Sequence, residues 1–135
     1  MKIAFLTSGG NAPCLSASIG RLLYNYKELN NDIEVLGYKN GFIGLLKGSS
    51  INIPLSRLDD NSFSFLYNSG GSLIGNSRVK LTNKEDCISK DLVKSGQDPL
   101  EVAAEQLIKD KVDILHTIGG DDTNTSAKDL SNHIK

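Results

Sequence analysis

The stretch Ile114-Leu115-His116-Thr117-Ile118-Gly119-Gly120-Asp121-Asp122-Thr123-Asn124-Thr125 runs from an apolar segment into two glycines, two acids and small polar residues. Glycines at a strand end let backbone approach a phosphate, and neighbouring carboxylates can hold a hard divalent cation. A second stretch, Asn68-Ser69-Gly70-Gly71-Ser72-Leu73-Ile74-Gly75-Asn76-Ser77-Arg78-Val79-Lys80, ends in two bases two positions apart. Such a loop can wrap an oxyanion with backbone donors, while Arg78 adds a planar fork of hydrogen bonds and Lys80 a point charge. The same composition also suits a solvated surface loop. A third stretch, Thr7-Ser8-Gly9-Gly10, precedes a helical pattern and leaves backbone N–H groups for an anion, although a Gly-Gly turn is often only structural.

The elements that must carry these residues follow from periodicity. Residues 2–7 form a short apolar run, after which Leu15, Ile19, Leu22, Leu23 and Tyr26 recur at helical spacing, so the pattern reads strand, glycine turn, helix. Residues 34–38 read as a second strand, followed by the turn signal Asn40-Gly41 and the apolar group Phe42, Ile43, Leu45 and Leu46. Residues 51–54 suit a brief edge strand, because Pro54 fits poorly in a central one. Asp98-Pro99-Leu100-Glu101 is a helix start, with Leu100, Ala103, Ala104, Leu107 and Ile108 forming one apolar stripe. That helix leads into a strand over 112–118, which is half of a βαβ unit. A further helix is expected over 126–134, after the acidic turn. The resulting fold class is α/β, with a mostly parallel sheet flanked by helices at whose strand ends a ligand would bind.

The 135 residues carry 39% hydrophobic and 23% charged side chains, within the range of one soluble domain or part of one, with no repeat or linker. Fifteen Lys and Arg (15) against 16 Asp and Glu give a formal charge of −1, so bulk attraction to nucleic acid or an anionic membrane is not expected and any anion site must be local. No apolar run approaches a membrane span and no signal-peptide pattern follows Met1, which makes a cytoplasmic location the default expectation. Cys14 and Cys87 form neither a CxxC pair nor a disulfide framework and read as free thiols. His116, inside an apolar strand, reads as a packed core histidine rather than a base, and His133 as a surface residue.

The order and spacing of Thr7-Ser8-Gly9-Gly10, the loop from Gly70 to Arg78, and Gly119-Gly120-Asp121-Asp122 resemble the N-terminal part of the phosphofructokinase family across the whole chain. ATP-dependent members of that family read Gly-Gly-Asp-Gly-Ser at the last motif. Gly119-Gly120-Asp121-Asp122 and Gly75-Asn76-Ser77-Arg78-Val79-Lys80 instead resemble the branch that uses inorganic pyrophosphate. The resemblance implies a phosphofructokinase-like fold and phosphoryl transfer from pyrophosphate to the 1-hydroxyl of fructose 6-phosphate, with Mg²⁺, in glycolysis. By motif, Gly9 and Gly10 would be phosphate-loop glycines, Arg78 would contact the transferring phosphoryl, Asp121 would hold the magnesium, and Asp122 would stand where ATP users have glycine. Positioning and charge neutralisation are what phosphoryl transfer requires of a protein. A carboxylate at position 122 adds bulk and charge against a nucleotide's α-phosphate, and it can also cap the following helix.

Phosphate contacts are further expected from Gly120 and Thr125, with Thr123 and Asn124 shared between ligand and helix cap. Lys80 is left between phosphate contact and loop anchoring. The family's first loop commonly continues Ala-Pro-Gly, where this chain has Ala12-Pro13-Cys14. The Lys-Thr-Ile-Asp-Asn-Asp-type motif that carries the family's catalytic base has no match, nor do the sugar-phosphate motifs. The resemblance therefore implies an N-terminal fragment or truncated gene product. It would be an incomplete domain, inactive by itself, from a full-length parent expected to be a homo-oligomer. Two other readings remain: an ATP-dependent phosphofructokinase or related sugar kinase, which the second acid opposes, and an inactive phosphate-binding or partner-binding remnant.

Overall fold

The computed structural model describes residues 1–10 and 12–135. Strand β1 (Lys2–Thr7) is buried from Ile3 to Thr7 and lies between β2 (Glu34–Tyr38) and β4 (Ile114–Ile118), parallel to both. Strand β3 (Ser50–Asn52) pairs antiparallel with β2, so the four-stranded sheet has the order β3-β2-β1-β4 and is mixed. Pro54 falls just beyond β3, which keeps its missing N–H out of the ladder.

Alternation along β1 divides the core. Ile3 and Phe5 pack with Ile19 and Leu23 of α1 (Leu15–Leu29) and Phe63 and Leu66 of α3 (Asp60–Asn68). Ala4 and Leu6 join a second cluster with Leu45 of α2 (Phe42–Lys47), Ala103 and Leu107 of α5 (Pro99–Lys109), and Leu130 of α6 (Asp121–Ile134). A strand buried on both faces must be apolar throughout, which is why residues 3–6 carry no polar side chain. Because α1 and α6 follow neighbouring parallel strands yet pack on opposite faces, the chain diverges at the carboxyl ends of β1 and β4. That divergence opens the crevice in which α/β sheets bind ligands.

Some boundaries differ from the sequence pattern. Strand β4 starts at Ile114 rather than 112, since Val112 N–H is used by Leu107 O (3.0 Å) in the turn leaving α5. The last helix starts at Asp121 rather than Ser126. Gly119 and Gly120 complete the turn by themselves, and both acids then occupy the first helical turn, where the helix dipole favours negative charge. Helices α3 and α4 (Lys84–Ser89) had no strong sequence signal; the first begins with a capping box in which Asp59 Oδ1 accepts from Ser62 N (2.9 Å).

Candidate functional site

Register brings the glycine turns together. Thr7 lies opposite Ile118, and Ser8 N–H continues the ladder to Ile118 O at 3.0 Å, so Ser8-Gly9-Gly10 runs beside Gly119-Gly120. The approach is close enough that a Cβ on Gly119 would collide with the Ser8 carbonyl oxygen and the Thr123 side chain. Gly9 has φ +88°, a left-handed conformation that glycine adopts without strain.

The arginine loop is fastened onto the first turn through backbone and small side chains. Gly9 N–H donates to Ser77 O (2.7 Å), Ser8 Oγ donates to the same oxygen (2.9 Å), and Asn76 Nδ2 donates to Gly9 O (2.8 Å). Thr7 Oγ1 bonds Gly75 O (2.9 Å) and Ser72 Oγ (2.7 Å). The turn after β2 adds a third support, since Ser77 Oγ donates to Asn40 O (2.7 Å) and Asn40 N–H to Ile74 O (2.8 Å). These bonds carry Arg78 over Gly10, with Nη2 at 3.0 Å from where a Gly10 Cβ would stand.

The resulting cavity, of about 420 Å³, is lined by Ser8, Gly9 and Gly10, by Arg78, Val79 and Lys80, and by Gly120, Asp121, Asp122 and Thr123. The first backbone bond of α6 runs from Asn124 N–H to Gly120 O (3.1 Å), so the N–H groups at its start are not consumed by the helix. Lys80 Nζ lies 3.4 Å from Asp122 Oδ2, an ion pair that ties the arginine loop to α6 with both side chains substantially exposed. Neither Arg78 nor Asp121 has an ion-pair partner among the described residues. Those residues hold no cluster of three or more His, Cys, Asp or Glu.

The structure thus assembles Gly9, Gly10, Arg78, Lys80, Gly120, Asp121 and Asp122 around one cavity. Thr125 and Gly9 stand differently toward that cavity. Thr125 is exposed and does not line the cavity; with α6 starting at Asp121, it sits two residues, about 200°, round the helix from Thr123. Thr123 occupies the inward position: it is 2% exposed, and its Oγ1 is buried without a hydrogen-bond partner among the described residues. The spacing Thr123, Ser126, Leu130 is the inward face of α6 and would have revealed this had the helix been started at the acids. Gly9 lines the cavity with its N–H already donated to Ser77 O.

The phosphofructokinase family model matches residues 2–135. The chain belongs to the phosphofructokinase family. The pyrophosphate–fructose 6-phosphate 1-phosphotransferase of Methylotuvimicrobium alcaliphilum is 55% identical over 130 residues, covering 96% of this chain and 31% of that relative. The ATP-dependent 6-phosphofructokinase 2 of Clostridium perfringens is 36% identical over 135 residues, covering 96% of this chain and 34% of that relative. A crystal structure of a pyrophosphate-dependent phosphofructokinase from Nitrosospira multiformis superposes with a TM-score of 0.75 at 18% identity, over 98% of this chain and 29% of that one, which establishes the likeness of fold. The chain spans 31% and 34% of the length of the two curated relatives.

His116 lies on β4, away from the cavity lining, with Nε2 2.7 Å from Tyr26 Oη. Burial pushes its pKa below the ordinary histidine value. Asn76, Ser77, Asn40 and Thr7 stand in the motifs the sequence analysis picked out, but their part in fastening the loops to one another was not legible there.

Proposed function

We propose that the whole protein, of which these residues would form the N-terminal part, transfers a phosphoryl group from pyrophosphate to the 1-hydroxyl of fructose 6-phosphate. The observation that carries this reading is Asp122 in the first turn of α6, inside the cavity and ion-paired to Lys80, at the place where ATP users of the family have glycine. The greater identity to a pyrophosphate-dependent relative than to an ATP-dependent one supports it.

The chain's own residues would act by position and charge. Arg78 offers its guanidinium fork to the transferring phosphoryl, whose negative charge needs neutralising as the bond to the donor loosens. Gly10 and the start of α6 supply backbone N–H groups, and Lys80 a second positive charge. Asp121 fits Mg²⁺, which takes one or two carboxylates and completes its shell with phosphate oxygens and water. When bound, the cation would supply charge neutralisation on the donor's oxygens. The buried Thr123 hydroxyl, without a hydrogen-bond partner among the described residues, is a polar group that a water or donor oxygen at the helix start would satisfy. Asp122 adds bulk and charge where a nucleotide would continue past its β-phosphate, a continuation that pyrophosphate lacks. The acceptor half of the site, including the base on the sugar hydroxyl, would come from outside these 135 residues, which leaves the chain inactive alone.

The same reading makes the whole protein a cytoplasmic, oligomeric enzyme of glycolysis. Among the described residues no helix is long and apolar enough to cross a membrane. The test is a coupled assay for fructose 1,6-bisphosphate with the whole protein, offered pyrophosphate or ATP with Mg²⁺. Turnover with pyrophosphate is expected; turnover with ATP alone would overturn the assignment of donor.

A further inference from the structure

Gly9 is held at both ends by the arginine loop. Its N–H donates to Ser77 O at 2.7 Å, and its carbonyl accepts from Asn76 Nδ2 at 2.8 Å. A carbonyl can only accept, so the Asn76 amide must present its NH₂ group there. In a trans peptide the carbonyl and the following N–H point in opposite directions, so fixing Gly9 O toward Asn76 turns the Gly10 N–H the other way. No acceptor for that N–H occurs among the described residues. Gly9, at φ +88° and without a side chain, offers little resistance of its own to rotation of this peptide. If the plane flipped, a carbonyl oxygen would replace an N–H on the side away from Asn76. Arg78 Nη2 stands 3.0 Å from the Gly10 Cβ position, and Gly9, Gly10 and Arg78 line the same cavity, so this peptide borders the space a phosphate would share with the guanidinium.

Asn76 is itself anchored. The residue before it accepts at its carbonyl from Thr7 Oγ1 (2.9 Å), and the residue after it donates through Oγ to Asn40 O (2.7 Å). We propose that Asn76 is a positioning residue for the phosphoryl donor: by holding the Gly9 carbonyl, it keeps the Gly9–Gly10 peptide in the orientation that offers an N–H, rather than an oxygen, to phosphate. The inference rests on the reading of this cavity as the donor site.

The test compares Asn76→Ala and the isosteric Asn76→Asp with Asn76→Gln, which retains an amide donor, all in the whole protein. Pyrophosphate affinity is measured calorimetrically, together with KM for each substrate, kcat and Tm. Loss of one hydrogen bond to a charged ligand is expected to weaken pyrophosphate binding about tenfold in Asn76→Ala. Asn76→Asp is expected to be weaker still, because a carboxylate repels both the Gly9 carbonyl and the incoming anion. The KM for fructose 6-phosphate and the Tm should stay near the unsubstituted values, and Asn76→Gln should recover part of the loss. Unchanged pyrophosphate affinity in folded Asn76→Ala and Asn76→Asp would overturn the inference, as would an equal loss for both substrates with a lowered Tm. Failure of the unsubstituted protein to bind pyrophosphate would instead overturn the donor reading, and this inference with it, before any variant is compared.

Discussion

Replacing Asp122 in the whole protein separates the charge of that side chain from its bulk. Its Oδ2 lies 3.4 Å from Lys80 Nζ, with side chains 71% and 50% exposed. Unit charges at that distance attract by about 1 kcal/mol in water and about 5 kcal/mol at an effective dielectric of 20. At this exposure the range measured for surface pairs, about 0–1 kcal/mol, applies, so losing the pair should barely move stability. A nucleotide phosphate about 4 Å from a bare carboxylate would be repelled by about 1–4 kcal/mol. Lys80 offsets much of that, and the charge contribution falls to the lower end. Forcing extra atoms into a filled site costs about 1–3 kcal/mol more. The isosteric Asp122→Asn should therefore raise kcat/KM for ATP by about tenfold or less, and Asp122→Gly, which also removes the bulk, by about 100-fold. A coupled fructose 1,6-bisphosphate assay with each donor measures both. Equal gains in the two variants would show that charge alone excludes ATP and that Lys80 does not offset it. No gain in either would place donor selectivity elsewhere and refute the reasoning.

Gly119→Ala should lower stability by about 1–3 kcal/mol in denaturant titration, because its Cβ meets the Ser8 carbonyl and the Thr123 side chain. Gly120→Ala meets no protein atom within 4 Å and should fold normally while weakening pyrophosphate binding, since Gly120 lines the cavity. His116 has its folded pKa depressed by burial, so between the folded and unfolded values the unfolded chain binds more protons. Stability should then fall as pH drops below about 6.5, and His116→Gln should flatten that slope in urea titrations at stepped pH. With Cys14 exposed and Cys87 buried, its thiol pushed up by burial, a thiol reagent should modify Cys14 rapidly in the native protein and Cys87 only after unfolding.

What the sequence made legible was local. The apolar run of β1, the glycine turns and the start of α5 are set by neighbouring residues, and Asp98 Oδ1 does accept from Leu100 N–H (3.1 Å). Helix α3 was harder to see because its cap uses Ser62 where the familiar pattern has Glu or Gln, and because its nine residues expose Phe65 and Tyr67. Thr123 and Thr125 precede the expected helix start at 126, where a turn sets no inward face; with α6 beginning at Asp121, helical periodicity turns Thr123 inward and Thr125 outward. Loop anchoring left no local trace: Asn76 reaches Gly9 across 67 positions and Ser77 reaches Asn40 across 37. Such contacts depend on a sheet order that no single stretch encodes.

The charges of the cavity bear on why two acids can stand beside a proposed phosphate. Arg78 and Lys80 face Asp121 and Asp122, which leaves the side chains with no net attraction for an anion. Attraction must then come from the backbone, through the Gly10 N–H and the first turn of α6, and from removing the acids' influence one at a time. Lys80 already does this for Asp122. Asp121 has no partner among the described residues, so its charge would be met only when a cation arrives with the donor. Pyrophosphate titrated without Mg²⁺ should bind weakly, and Asp121→Asn should improve that metal-free binding while abolishing the gain from Mg²⁺. An Asp121→Asn variant that bound no better without the metal would mean that Asp121 does not face the donor.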